Sequence, residues 1–427
     1  MMGNYSAYAD YKDSGVEWLG EIPEHWDCKK LKFLAIVQPS NVDKKTLEGE
    51  ELVFLCNYSD VYNNDWITDE ISFMQASATS SEIEKFLISK GDVIITKDSE
   101  NPYDIAVPAL VYQNFDNVLC GYHLTHIKPI KLDGKFLFRL FQSSRFNAQF
   151  IVSANGVTRF GLPQRVINDA YVATPPLDEQ KAIAAFLDYK TQQIDQLIAK
   201  KEALLEKLDE KRTALISQAV TKGLDPTVPM KDSGIEWLGE IPEHWETKKI
   251  QYIGRLKSGE NIISQQIEPD GLYPVFGGNG IRGYFDSYNH DGHYILIGRQ
   301  GALCGNINYA NGKFWASEHA VVVNPLVRFE VFWLGELLKI MNLNQYSTSA
   351  AQPGLSVEQI ARLKIPFPPF NEQKVIAQYL SKKTVEIDRQ KVKILQAIEV
   401  LKEYRTALIT NAVTGKIDVR SVPIPTP

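Results

Sequence analysis

Arginine, glutamine and asparagine set in glycine-rich turns are the residues of this chain best suited to chemistry, and what they suit is hydrogen bonding to planar partners. Gly277-Gly278-Asn279-Gly280 is followed by Arg282 and Tyr284, and Gly298-Arg299-Gln300-Gly301 forms a second such turn. A guanidinium fork matches the paired acceptors of guanine, and a carboxamide matches the donor and acceptor of adenine. Gln352 joins these candidates farther along the chain. Lys97, Asp98, Ser99, Asn101 and Tyr103, with Thr158-Arg159 later, make a comparable but weaker set. The plainer alternative for each position is a hairpin turn whose polar residues face water.

Side chains for covalent chemistry are missing as sets. No G-x-x-x-x-G-K-[ST] phosphate loop occurs, so the chain is not expected to hydrolyse ATP. Asn101-Pro102-Tyr103 looks like a shortened amino-methyltransferase motif, but it lacks the second proline and no glycine-rich cofactor loop accompanies it; it reads as a turn. Asp10-Tyr11-Lys12 has part of a nuclease spacing without a supporting acid. His290 and His293, with His319 or Cys304 in the same region, lack a carboxylate pattern and read as solvated or structurally bonded groups in a glycine-rich turn, not as a metal site. His25 and His244 have no nucleophile beside them and read as structural. The four cysteines, Cys28, Cys56, Cys120 and Cys304, show no CxxC spacing, which argues against a disulfide framework or a zinc ribbon.

The candidate residues sit between repeated blocks. KDSGVEWLGEIPEHWDCKK at 12–30 returns as KDSGIEWLGEIPEHWETKK at 231–249, nineteen residues with three differences. A second block, beginning at Gly161 and at Gly354, pairs GLPQRVINDAYVATPPLDEQKAIAAFLDYK with GLSVEQIARLKIPFPPFNEQKVIAQYLSKK and runs without a gap into RTALI at 212–216 and 405–409. The stretches between, roughly 31–160 and 250–353, share no motif. A repeated frame around unlike inserts implies two equivalent positions that each meet something different.

Each Pro-Pro pair leads into a segment that reads as a long helix. Asp178 and Asn371 stand where an N-cap is wanted, Phe370 and Val375 where a hydrophobic staple would close over it, and Gly223 and Gly415 where a left-handed C-terminal cap belongs. Leu187, Ile194, Leu208 and Leu215, interrupted by Lys201, and Leu380, Ile387, Ile394, Leu401 and Leu408 recur at heptad spacing, which is coiled-coil geometry. Leu197, Leu204, Ile198 and Leu205 are expected to widen the first seam, and Ala397 and Ile398 the second. Helices of this length reach about 60 Å. The economical arrangement packs them against each other, antiparallel as a two-fold between equivalent halves requires; the alternative is a coiled coil with another chain.

The expected fold class is thus α+β: two α/β domains separated by an antiparallel coiled coil of two long helices, pseudo-two-fold symmetric. The predicted divisions are 1–176 for the first box and insert, 177–222 for the first long helix, 223–369 for the second box and insert, 370–414 for the second long helix, and 415–427 for a tail. In the first insert the β-branched runs GDVIITKD and AVPALVY alternate with the helical patterns SSEIEKFLIS and GKFLFRLFQSSRFNAQF; the second is β-rich with glycine turns, then an apolar helix over 329–341.

At 427 residues the chain has room for two or three domains. No apolar run approaches the ~20 residues needed to cross a bilayer, and the first residues show neither a basic start nor an apolar core, so no membrane association and a cytoplasmic location are expected. The formal net charge of −6 is unfavourable for binding nucleic acid alone; such affinity would come from local loops or be shared with a basic partner.

As a set, the twin EWLGEIPEHW boxes, the twin PP-x-x-EQ-K-x-IA helix starts, the twin RTALI segments and the divergent inserts resemble the specificity subunit of type I restriction-modification systems, over nearly the whole chain. That resemblance implies a non-catalytic subunit whose inserts are target-recognition domains, each reading one half of a bipartite, asymmetric sequence in double-stranded DNA, with the paired helices fixing the spacer. It implies two methyltransferase subunits that modify adenine and two motor-nuclease subunits, with S-adenosylmethionine, ATP and magnesium on those partners and no cofactor in this chain. The partner surface would involve Trp18, Trp26, Trp237 and Trp245 and the helix pair. The rival reading is a scaffold displaying two protein-binding modules without touching DNA; a nuclease or methyltransferase acting by itself comes third.

Overall fold

Each repeated box folds as a hairpin followed by a strand. Tyr11–Asp13 pairs antiparallel with Glu21–Pro23, and Met230–Asp232 with Glu240–Pro242 in the same register, Lys12 opposite Ile22 and Lys231 opposite Ile241. Asp13 and Asp232 accept from the amides of Gly15 and Gly234 at 3.0 and 2.9 Å, and both glycines take positive φ, 71° and 67°, a conformation that strains other residues. The boxes end in Asp27–Lys30 and Glu246–Lys249, which pair antiparallel with Tyr171–Thr174 and Lys364–Phe367, the strands leading into the long helices. The structure, a computed structural model, describes residues 5–301, 303–347 and 354–425.

The long helices run Leu177–Lys222 and Phe370–Val413. Both start one residue before the position predicted for their caps. The carbonyls of Pro176 and Pro369 accept from the amides of Gln180 and Gln373 at 3.0 Å each, so Asp178 and Asn371 lie inside the first turn and do not cap it. There an acidic side chain such as Asp178 favours the positive helix end through charge alone. The staple does not form either: Val375 is 55 % exposed, and Phe370 lies beneath Arg328, whose guanidinium carbon is 4.1 Å from the ring centre. Gly223 and Gly415 have φ of 76° and 72° just past the helix ends, as left-handed caps require.

Two compact units divide the chain, residues 1–201 with 396–427 and residues 202–395. Within each, part of one long helix packs on part of the other. In the first unit Leu187, Ile194 and Leu408 are buried, and Arg405 Nε donates to Asp195 Oδ1 at 2.9 Å. In the second Leu208, Leu380 and Ile387 are buried; Lys391 Nζ meets the Asp209 carboxylate at 2.6 Å and Arg212 lies 3.8 Å from Asp388. Numbers rise along one helix as they fall along the other, so the pairing is antiparallel and within one chain. Leu215, Ile394 and Leu401 are half-buried. Leu197 and Leu204 do not widen the seam: they are 44 % and 48 % exposed, because a stripe two helix positions wide uses up the facing surface and the next position turns to water. The fold class is α+β, two α/β domains with an antiparallel pair of long helices.

The first insert builds a five-stranded sheet in the order Ala35–Pro39, Leu124–Pro129, Val93–Thr96, Pro108–Val111, Trp66–Ile67, the last pair parallel, beside a three-stranded sheet of Val118–Cys120, Glu51–Cys56 and Met74–Ala78. Its long helical pattern breaks in two, Gly134–Phe141 and Ser144–Ile151, where Ser143 caps the second helix by accepting from Phe146 N. The second insert is one six-stranded sheet, Gly254–Ser258, Ala320–Pro325, His290–Gly298, Ile307–Ala316, Tyr273–Gly277, Gly280–Phe285, with the helix Val331–Ile340 against it. His290 and His293 lie on a strand of this sheet and not in the predicted turn: Gly292 pairs with Gly312, and both take positive φ.

His126 sits on the strand Leu124–Pro129 of the first insert with no side-chain exposure, its Nε2 2.7 Å from Asp92 Oδ2 and its Nδ1 without a partner among the described residues. Burial pushes its pKa below the usual 6.5, the Asp92 contact opposing. A base whose folded pKa is depressed leaves the unfolded chain binding more protons below the unfolded value. Its contribution is therefore complete above about pH 6.5 and lost as pH falls from there toward the folded pKa. Urea midpoints measured from pH 7.5 to 5 should fall for the wild type and fall less for His126→Gln; equal slopes would refute the assignment.

Candidate functional site

The Glu-Gln pair that opens each long helix joins box, insert and helix. Gln180 Nε2 donates to Pro175 O at 2.9 Å while its Oε1 accepts from the amide of Asp133 at 2.8 Å. Gln373 repeats this with Pro368 O at 2.8 Å and the amide of Glu330 at 2.9 Å. Both glutamines are buried and satisfied, as a buried carboxamide must be. Glu179 accepts from Tyr8 Oη at 2.7 Å and Trp26 Nε1 at 3.1 Å, and its other oxygen lies 2.8 Å from His25 Nε2. Burial and this carboxylate push the Tyr8 hydroxyl's pKa upward. Arg420, from the segment after the second helix, closes over the Tyr8 ring at 5.0 Å. In the second unit, among the described residues, the Glu372 carboxylate keeps only the histidine, 2.8 Å from His244 Nε2, and Trp245 Nε1 has no partner.

Trp26 and Trp245 are fully buried and support the boxes from within. Trp237 is 41 % exposed, while Trp18 packs edge-on to Phe146 at 6.4 Å, so only Trp18 and Trp237 offer ring surface to a partner.

The glycine turns of the second insert come together. Gly277 pairs with Gly280 across a two-residue turn, and Gly298 is packed so closely on it that a Cβ there would stand 2.1 Å from Gly278 O. Asn279 Oδ1 accepts from Asn306 Nδ2 at 2.7 Å. Arg299 is held by its own backbone, with N donating to His319 O and O accepting from Leu355 N, both at 2.9 Å, and its Nη1 lies 3.3 Å from Ser258 Oγ. Asn279, Arg299 and the exposed Gln300 thus gather at one end of the sheet's strands. Arg282 reaches back over Gly277, where a Cβ would stand 2.4 Å from Arg282 Cδ. Tyr284 lies farther along its strand, tied to Glu268 by backbone bonds in both directions. Gln352 falls outside the described residues.

In the first insert the two separate strings meet. Phe160 pairs with Ser99 and Gly161 with Asp98, which carries Arg159 to Asp98: Nε donates to Oδ1 at 3.0 Å and Nη2 to the same oxygen at 2.5 Å. Asp98 Oδ2 lies 2.7 Å from His123 Nδ1. Lys97 covers the Tyr122 ring at 4.7 Å. Ser99 is buried, Asn101 caps the turn by accepting from Tyr103 N at 3.0 Å, and Tyr103 is 76 % exposed. Thr158 is exposed beside Val157. Sequence reasoning missed Tyr58, Tyr62, Glu100, Asp104 and His123 here. The first two, four apart, stack at 5.6 Å on one short helix, a spacing that could have drawn notice.

Among the described residues no His, Cys, Asp or Glu cluster could hold a metal ion, and no helix is long and apolar enough to cross a membrane.

Residues 23–207 and 242–400 match the family model described as the type I restriction modification DNA specificity domain. The EcoprrI type I restriction enzyme specificity subunit of Escherichia coli is 45 % identical over 139 residues, which span 32 % of this chain and 35 % of that protein. The MjaVIII specificity subunit of Methanocaldococcus jannaschii is 22 % identical over 443 residues, 94 % of this chain and 95 % of that one. A solved chain from work on complex assembly and conformational transition of the type I R-M system superimposes with a TM-score of 0.72 at 17 % identity, covering 92 % of this chain and 98 % of that chain. The chain belongs to the family of type I restriction-modification DNA specificity subunits.

Proposed function

We propose that this chain is the sequence-reading, non-catalytic subunit of a cytoplasmic type I complex. Each insert reads one half of a bipartite, asymmetric site in double-stranded DNA, while two methyltransferase subunits modify adenines and two motor-nuclease subunits cut. The observation that carries the proposal is the pairing of a twice-used frame with two chemically different polar edges, Asn279-Arg299-Gln300 in one insert and Asn101-Arg159 in the other. Phosphate contacts position a protein but carry no sequence, whereas base-edge contacts specify; a net charge of −6 leaves most of the phosphate neutralisation to the partners. The paired helices act as the spacer, suited to half-sites about 34 Å apart, one duplex turn. S-adenosylmethionine, ATP and magnesium belong to the partner subunits, where a flipped adenine would be methylated.

Filter binding tests this. The chain alone should retain duplex DNA weakly, and with its methyltransferase it should protect one bipartite site. Methylation without sequence preference by the assembled complex would refute the proposal, and complexes that form yet never retain DNA would favour the scaffold.

A further inference from the structure

A cleft of about 410 Å³ in the first insert is lined by Tyr58, Tyr62, Asp98, Asn101, Asp104 and Arg159, with Ser99 and Glu100 completing it. Its two kinds of polar group are opposite in hydrogen-bonding sense. Arg159 has five N–H donors, of which Asp98 takes Nε–H and one on Nη2. The rest have no partner among the described residues, on a side chain that is itself 53 % exposed, while Asp98 beneath it is only 13 % exposed and held on its other oxygen by His123. The guanidinium is therefore aimed and has a free fork. Opposite in sense, Glu100 is exposed and makes no hydrogen bond or ion pair among the described residues. Asp104, taken by the Tyr62 hydroxyl, is already engaged.

A cleft with three carboxylates and one guanidinium repels phosphate, so DNA that reaches it presents base edges. In the major groove a G·C pair shows two acceptors on guanine, N7 and O6, beside one donor on cytosine, N4–H₂, and no other pair shows that combination. Arg159 supplies the donors and Glu100 the acceptor. Resting on the reading of this chain as a DNA specificity subunit, we propose that the first insert reads a G·C pair within its half-site, Arg159 donating to the guanine and Glu100 accepting from the cytosine amino group, with Asp98 as the residue that positions Arg159.

The test uses the complete complex and methylome sequencing of cells carrying it, with wild type, Glu100→Gln, Arg159→Lys and Asp98→Asn. The expected wild-type motif holds a G·C pair in one half that relaxes in all three variants, with discrimination at that pair falling about tenfold or more and the other half unchanged. Asp98→Asn should lose less than Arg159→Lys, since a carboxamide oxygen still accepts from Nε. The proposal is overturned if the wild-type motif has no G·C pair in the affected half, if the variants keep it fully specified, or if they weaken methylation uniformly across sequences, as loss of a phosphate contact or of folding would. A wild-type complex with no sequence preference would instead sink the reading of the chain as a specificity subunit.

Discussion

Replacing Glu179 by alanine is expected to destabilise the first unit by about 2–4 kcal/mol, while Glu372→Ala costs the second about 1 kcal/mol or less. Glu179 is 7 % exposed and accepts from both Trp26 and Tyr8. Its removal strands an indole N–H and a phenol O–H inside the box, and an unpaired buried donor costs about 1–3 kcal/mol. Glu372 holds only His244, whose side chain is 48 % exposed and able to turn to water, and Trp245 Nε1 is unbonded already. Two sequence-identical glutamates in one motif thus differ because the first box gathers Tyr8 and Arg420, whereas Thr227 stands at the place of Tyr8 before the second box. Urea titrations of both variants, followed by tryptophan fluorescence, should show unequal shifts; equal ones would mean that the bonds from Tyr8 and Trp26 to Glu179 contribute nothing net.

Exchanging residues 250–353 for the matching stretch of another family member should rewrite one half of the recognised sequence and leave the other half intact. The frame tolerates this because Gln373 takes a backbone amide from residue 330, not a side chain, so any residue there other than proline preserves the bond. The strand pair between Glu246–Lys249 and Lys364–Phe367 likewise lies outside the exchanged stretch. Some stability should be lost where the helix carrying Trp333 and Leu337 shares one hydrophobic core with Ile216 and Leu380 of the long helices, because a new insert fills that core imperfectly. Methylome sequencing reads the outcome. A motif altered in both halves, or in neither, would end the assignment of one half-site per insert.

The frame was legible because its signals are local and repeated. Heptad leucines, Pro-Pro starts and Gly223 and Gly415 specify the long helices within a few residues. Their caps were misplaced by two positions because the carbonyls of Pro176 and Pro369 close the first turn without a side-chain acceptor. Leu197 and Leu204 were misassigned because composition alone does not say how wide a seam two helices can cover. In the second insert, Asn311-Gly312 is a hairpin signal by itself, yet Gly292 lies opposite and the strand Ile307–Ala316 runs straight through; long-range pairing overrode local preference. The same limit hid the polar cleft. Arg159 and Asp98 are brought together by the pairing of Phe160 with Ser99 and Gly161 with Asp98, which nothing near either residue announces. The turns at Gly278 and Gly298 were each legible as glycine turns, but not the close glycine packing that brings them together.

Each compact unit borrows part of a helix from the other half of the chain, as Arg405 on Asp195 and Lys391 on Asp209 attest. A polypeptide of half this length, with one box, one insert and one long helix, would leave its own seam uncovered. Two identical copies could cover it by trading helices, and such a homodimer would read the same letters twice in inverted order, a palindrome. On the proposed reading of one half-site per insert, carrying two diverged copies in one chain would free the two halves of the target to differ.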